Sequence, residues 1–461
     1  MKHSTQIDPT AGGSIRKTPP GPRGHWLLGS MPDFLHDSLG YLRRMAEDYG
    51  DVVRYQVAHM TWYQVNHPAG IARILQENNR NYGKGALTLG ILRPVAGNGL
   101  FLSEGELWLR QRRLMQPTFH HRHVASFGTM MAEATRSMLD RWEAHAAGGQ
   151  PLDIMREMSG LTSDVVSRAL FSTPASDSAG VAQAVSTLAE DIGYRFAVPF
   201  YPPPRVPTSR NRRQRAALRA LDTAVYGIIA ARRRGETSGD DLLGLLMSVR
   251  DEDTGACMSD QQLRDEVITL FVAGHETTAV ALTWVWHLLA GHPDTAERVR
   301  AELSAVIGDR TPAAADLSKL PYARMVIDEA MRLYPPAWIT NRQAIADDEL
   351  CGYHIPAGAI VLVSPYVMHR HSAYWERPDD FEPERFALER SAGRPPYVYF
   401  PFGGGPRQCI GKGLALMEAQ LILAMVAQRF RLRHPPGLQV EPQALLTLRP
   451  QGGLPMFVER V

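Results

Sequence analysis

Between Pro401 and Gly413 the chain reads "PFGGGPRQCIGKG", a stretch too rich in glycine and proline for regular helix or strand. An apolar helical pattern, "CIGKGLALMEAQLILAMVAQRF", begins immediately after Cys409. A loop is therefore expected to deliver a sulfur to a helix N-terminus, where free N–H groups and the positive end of the dipole favour a thiolate. Gly403, Gly404 and Gly405 allow the tight turn, and Gly411 removes a side chain where a flat group approaches. Arg407 is a cation for an anionic edge of that group, and Phe402 is placed to cover the sulfur. The other cysteines, Cys257 and Cys351, are far away and form no CxxC pair. This argues against a disulfide framework and a structural zinc site, and fits a reducing compartment.

The rest of the chain has to bury that loop. With 461 residues, 44% of them hydrophobic, it has ample material for a large core. A formal net charge of +2 makes nucleic acid a poor partner. The polar, Gly- and Pro-rich start lacks the roughly 20-residue apolar run of a membrane span and a signal-peptide core. We expect a cytoplasmic protein that is not integral to a membrane. No repeat or Gly/Ser linker divides it. Residues 1–30 are expected to be a flexible segment with a proline hinge, and 31–461 a single domain.

Helix patterns dominate from about Ser103 to Arg310. The longest runs from Asp260 to Leu289, with Ser259 as its cap and "GHP" at 291–293 as its stop. Earlier, "SLGYLRRMAEDYG" reads as a helix ending at Gly50, "DVVRYQVA" and "TWYQVN" as a hairpin, and "PAGIARILQENN" as a helix opened by proline. Strand-like segments follow Arg342 and close the chain. At 196–218, prolines precede Arg210, Arg212, Arg213 and Arg215: a rigid loop with a solvated helix face, or a mobile lid. The whole is mainly α with small β-sheets.

Phe402, Gly405, Arg407, Cys409 and Gly411 match F-x-x-G-x-R-x-C-x-G. This resembles the haem-thiolate signature of the cytochrome P450 superfamily. The resemblance implies a trigonal-prism helical domain with a small β-rich N-terminal region, haem b, and Cys409 as the iron ligand. Thiolate ligation favours O–O cleavage, hence monooxygenase chemistry. In "AGHETT", Gly274, Glu276, Thr277 and Thr278 are a poor choice for a buried helix without a function. The resemblance makes the stretch a local widening beside iron, Thr277 the donor to activated dioxygen and Glu276 the relay of protons from solvent. His275 has no evident partner and reads as structural. Glu329 and Arg332 of "EAMR", with Arg385 of "FEPERF", are similar to the family's structural Glu–Arg–Arg network. Trp108, Arg112, Arg342 and Arg407 match its haem-contacting positions, the arginines serving the propionates, with His369 a further candidate. "PPGPRGHWLLGS" resembles the hinge behind the membrane anchor of microsomal members.

By the same resemblance, the pocket walls include Leu89, Leu92, Val95, Leu270, Ala273, Ala337, Trp338, Ile339 and Leu446. Their aliphatic character fits a neutral terpenoid or polyketide-like molecule. A fatty acid would want a cation at the mouth, for which Lys84 or Arg93 are candidates. Electrons derived from NAD(P)H are expected from a ferredoxin and its reductase, or a flavodoxin, docking on a monomer near Lys412, Arg112 and Arg113. A peroxide-driven peroxygenase and a non-catalytic haem sensor or carrier are the competing readings.

Overall fold

The computed structural model describes residues 17–173, 179–198, 201–236, 241–251 and 253–461. The predicted hairpin forms from Val52–Val57 and Met60–Val65, and it seeds a five-stranded sheet. Met60–Val65 pairs in parallel with Ile360–Val363, which pairs antiparallel with Thr340–Ala344. Tyr82–Gly83 closes the far edge against Gln343 and Ala344. Residues three hundred apart thus share one sheet, and Val52, Ile71, Val361 and Val363 bury their side chains in its core.

Part of the expected flexible segment, residues 1–16, lies outside the described residues. The rest is pinned. Arg54 donates its backbone N–H to Pro20 at 2.8 Å, and Ser30 its own to Gln56 at 2.7 Å. A Cβ on Gly21 would stand 1.8 Å from the Arg54 carbonyl oxygen, so only glycine permits that approach. Over 17–30 the expectation of flexibility is therefore corrected.

The long helix spans Asp260–Gly291, and Ser259 caps it by accepting the Gln262 N–H. It is long and apolar enough to cross a membrane. Here, however, Val280, Leu282, Trp284 and Val285 are fully buried in protein, making it the central core helix. Its main partner is the helix Ile154–Phe171. Gly274 serves that packing: a Cβ there would lie 3.1 Å from Val166 Cγ2. The helix runs unbroken through 273–278, so the glycine permits close approach, where a local widening was expected.

The helix after the cysteine is Lys412–Arg429, two residues later than the pattern indicated. It packs on Gly128–Gly148. Its Glu418 is fully buried, with one carboxylate oxygen lacking a hydrogen-bond partner, and burial pushes its carboxyl up to about 8. Burial likewise pushes up Glu266, to about 8, against the Leu100 N–H that it accepts. A carboxyl raised in the folded state contributes stability that is lost as pH rises from its unfolded value through the folded one. Stability should therefore decline between about pH 4.5 and 8. Glu418→Gln should flatten that slope in denaturant titrations across the window; an unchanged slope would refute the assignment.

At the far end, Pro442–Ala444 and Leu448–Pro450 form a small hairpin. Two buried indoles hold it: Trp284 Nε1 donates to the Leu448 carbonyl at 2.6 Å and Trp338 Nε1 to that of Leu445 at 2.8 Å. In the 196–218 stretch, residues 199–200 lie outside the described residues. Beyond them, Asn211 donates to the carbonyls of Pro203 and Val206, both at 2.9 Å, and accepts from buried Arg195 at 2.8 Å. Arg210 lies 3.8 Å from the Tyr194 ring centroid. These bonds describe a pinned loop.

Candidate active site

Gly403 and Gly405 take φ of +68° and +63°, which few side-chain-bearing residues tolerate. A Cβ on Gly405 would also stand 1.9 Å from the Leu75 carbonyl oxygen. Gly405→Ala is expected to displace the loop and lower haem retention, measured as haem-to-protein absorbance ratio; full retention would contradict this.

The turn ends with the Cys409 N–H donating to the Phe402 carbonyl at 3.0 Å. The sulfur is accessible, yet protein surrounds it, and burial pushes the thiol up. The N–H groups of Gly411 and Lys412 and the charges of Arg112 and Lys412 pull the other way. Burial thus outweighs the helix terminus expected to favour the thiolate; a bound cation would supply the missing charge. A Cβ on Gly411 meets only the Cys409 sulfur, at 4.0 Å, leaving the approach to that sulfur clear. Phe402 is half-buried, with the Lys412 ammonium 5.9 Å from its ring centroid.

Cations gather beside this loop. Arg407 stacks over the Trp108 ring at 4.4 Å, and Arg112 donates to the Gln408 carbonyl at 2.9 Å. Arg342 donates to Thr340 Oγ1 at 3.0 Å and to the Asn341 carbonyl at 2.7 Å. Burial, with Arg407 close by, lowers Arg342 to about 10. Lys84 belongs to the same group: burial, then Arg342 and Arg407, hold it well below the usual lysine range. Glu104 opposes these shifts on Lys84, Arg342 and Arg407, and accepts the Lys84 backbone N–H. Several buried cations around one carboxylate suit a ligand with further negative charge.

His369 does not join them. Its ring is fully buried, Nε2 accepts the Phe400 N–H at 3.0 Å, and burial holds it well below the usual histidine range. The ring is held by backbone inside the core and carries no charge to balance a propionate, so that expectation is corrected.

Behind the loop, Arg332 grips Glu329 through two bonds, at 2.7 and 2.8 Å, and donates to the carbonyls of His369, Pro378 and Asp380. Arg385 Nε lies 3.4 Å from Glu329, and all three side chains are buried. They tie segment 369–385 to the helix Pro321–Leu333.

On the long helix, Ala273 is exposed and Val272 and Gly274 through Thr277 are half-buried, which marks a face turned to open space. Thr277 Oγ1 donates to the Ala273 carbonyl at 2.7 Å, and Glu276 accepts from Thr447 Oγ1 at 2.7 Å. His275 receives the Thr162 hydroxyl on its carbonyl at 2.9 Å, and burial lowers its ring.

Six apolar candidates retain access: Leu89, Leu270, Ala273, Ala337, Ile339 and Leu446. The Thr88 hydroxyl, 3.0 Å from Asn341 Oδ1, ties the helix Ala86–Ala96 to the strand that follows Ile339. Leu92, Val95 and Trp338 instead pack into the cores, at 8%, 1% and 5% exposure. They back the wall and do not form it. Arg113 is also reassigned: it pairs with Asp251 at 3.0 Å and Asp253 at 2.8 Å, so its charge is already neutralised.

The cytochrome P450 family model matches residues 19–454. The chain belongs to the cytochrome P450 family. This P450 is 37% identical to cyclooctatin synthase of Streptomyces melanosporofaciens over 404 residues, covering 87% of each chain. It is 34% identical to pentalenene oxygenase of Streptomyces avermitilis over 451 residues, covering 97% of this chain and 96% of the relative. In three dimensions it matches the haem domain of cytochrome P450DA with a TM-score of 0.88 at 26% identity, covering 97% and 99%.

A cytochrome P450 carries haem and is a monooxygenase, and the residues of this P450 fit that group. Cys409 offers the soft donor on an unobstructed face, while Lys84, Arg112, Arg342 and Arg407 suit the two propionates. From sequence, Lys84 is only one of two candidates, with Arg93, for a cation at the pocket mouth. Its neighbours are the site's cations, which no local motif encodes.

Proposed function

We propose that this P450 uses haem b to hydroxylate or epoxidise an apolar terpenoid. Electrons reach it from NAD(P)H through a ferredoxin and its reductase, docking around exposed Lys412. When bound, thiolate-ligated haem activates dioxygen: one oxygen atom enters the substrate and the other leaves as water, with two electrons and two protons consumed. Cys409 would hold the group through its sulfur. Leu89, Leu270, Ala273, Ile339 and Leu446 would exclude water and orient an apolar molecule without charge. Thr277 stands where its hydroxyl can leave the Ala273 carbonyl to hold a water, and Glu276 brings protons from the cavity behind it.

The carrying observation is that the aliphatic residues Leu89, Leu270, Ala273, Ile339 and Leu446 accompany relatives whose names are those of terpenoid oxidation. One is named for pentalenene, and another, cyclooctat-9-en-7-ol 5-monooxygenase, is 35% identical over 428 residues. A fatty acid is disfavoured because Lys84 faces the cofactor cations and Arg93 points to the exterior. Titration with pentalenene, cyclooctat-9-en-7-ol and palmitate tests this through the Soret shift. Response to the terpenoids and not to palmitate is expected; the reverse would overturn it. Thr277→Ala should reduce product formed per NADPH by about tenfold or more. Undiminished coupling would favour the non-catalytic sensor, and activity with peroxide alone would favour the peroxygenase.

A further inference from the structure

Glu276 and Thr277 are adjacent, but successive side chains on a helix diverge by about 100°. The structure separates their bonds accordingly: Thr277 turns to its own helix, and Glu276 reaches the hydroxyl of buried Thr447 at 2.7 Å. Thr447 sits at the turn of the 442–450 hairpin, beside Leu446. Leu446 and Glu276 both line a cavity of about 900 Å³, which also takes in Ser159, Ser163, His275 and Arg449. The indole bonds to the Leu445 and Leu448 carbonyls fix the chain on either side of residues 446–447. These two residues form a short arch between anchored points. One of its side chains is a pocket wall and the other holds the acid.

We propose that Thr447 is a positioning residue for Glu276, and that through Leu446 it makes proton supply depend on the substrate pocket. The proposal rests on the monooxygenase reading. With the bond in place, the carboxylate is held toward the hairpin and away from Thr277. An apolar molecule pressed against Leu446 shifts the arch, withdraws the hydroxyl and frees the carboxylate to carry protons along the cavity. Without that hydroxyl the acid is free at all times, and proton delivery no longer waits for substrate. Dioxygen then takes two electrons from the ferredoxin and two protons from solvent and leaves as hydrogen peroxide.

The test uses haem-loaded full-length protein with a plant-type ferredoxin, its reductase and NADPH, without substrate. Thr447→Val should raise peroxide formation about fivefold over wild type, and Thr447→Ser should restore it to within about twofold. Adding Glu276→Gln to Thr447→Val should abolish the increase, because the effect acts through that carboxylate. An unchanged rate in Thr447→Val, or an increase that survives Glu276→Gln, would overturn the proposal. A second readout needs no turnover. The carboxylate infrared band missing in Glu276→Gln should shift in Thr447→Val and stay in place in Thr447→Ser. An unshifted band overturns the positioning role. A shifted band in a protein that consumes no reductant with any donor would refute the monooxygenase reading and leave the positioning role standing.

Discussion

Replacing Cys409 with alanine should remove the thiolate signature from the carbon monoxide difference spectrum, and oxygenation should fall to background. No other sulfur can substitute, since Cys257 and Cys351 lie in other parts of the chain. The loss should be specific to the ligand and not to folding. The Cys409 backbone N–H still reaches the Phe402 carbonyl in the variant, and the glycine turn is untouched. Circular dichroism should match wild type. Burial raises the free thiol, so with Cys409 as the proposed iron ligand the metal's charge would favour the thiolate. Apoprotein should accordingly react slowly with thiol reagents at neutral pH, and holoprotein not at all. Retention of the thiolate band in Cys409→Ala would overturn the assignment.

The largest stability effect is expected at Glu329. Its carboxylate takes two bonds from Arg332, lies 3.4 Å from Arg385 and accepts the Glu382 N–H at 2.9 Å, all out of water. Glu329→Ala leaves the fully buried Arg332 guanidinium without its anion and Arg385 with Glu382 alone, at 3.1 Å, a loss of about 3–5 kcal/mol. In a chain of 461 residues unfolding cooperatively, that corresponds to a fall in Tm of about 3–5 °C. The segment that Arg332 holds through the His369, Pro378 and Asp380 carbonyls should loosen first. Haem loss should therefore precede global unfolding in thermal scans that follow both signals. A Tm equal to wild type would show that the network carries no net stability.

Elements that rest on local chemistry were legible from sequence. Ser259 caps the long helix because a hydroxyl before an apolar run satisfies a free N–H wherever that run is buried. The 51–66 hairpin follows from alternation, and the turn before Cys409 from glycines that alone accept positive φ. Assignments that depended on which way a side chain faces were less secure. His369 carries a group suited to a propionate, but is fully buried and binds backbone. Arg113 looked like a free cation until Asp251, 138 residues away, neutralised it. Val95 and Trp338 had the right hydrophobicity for a wall and went to the core instead.

The sequence by itself determined the reaction class, because a cysteine between those glycines and that helix has few other uses. It also singled out Glu276 and Thr277 on the long helix as the candidates for handling protons. Only the tertiary structure decided which cations gather beside the Cys409 loop and what holds Glu276. Lys84 joins Arg342 across 258 positions, and Thr447 meets Glu276 across 171. Contacts of that separation leave no periodicity in a single chain. They are set by how sheet, helices and hairpin pack, and burial then fixes the charge each group can bear.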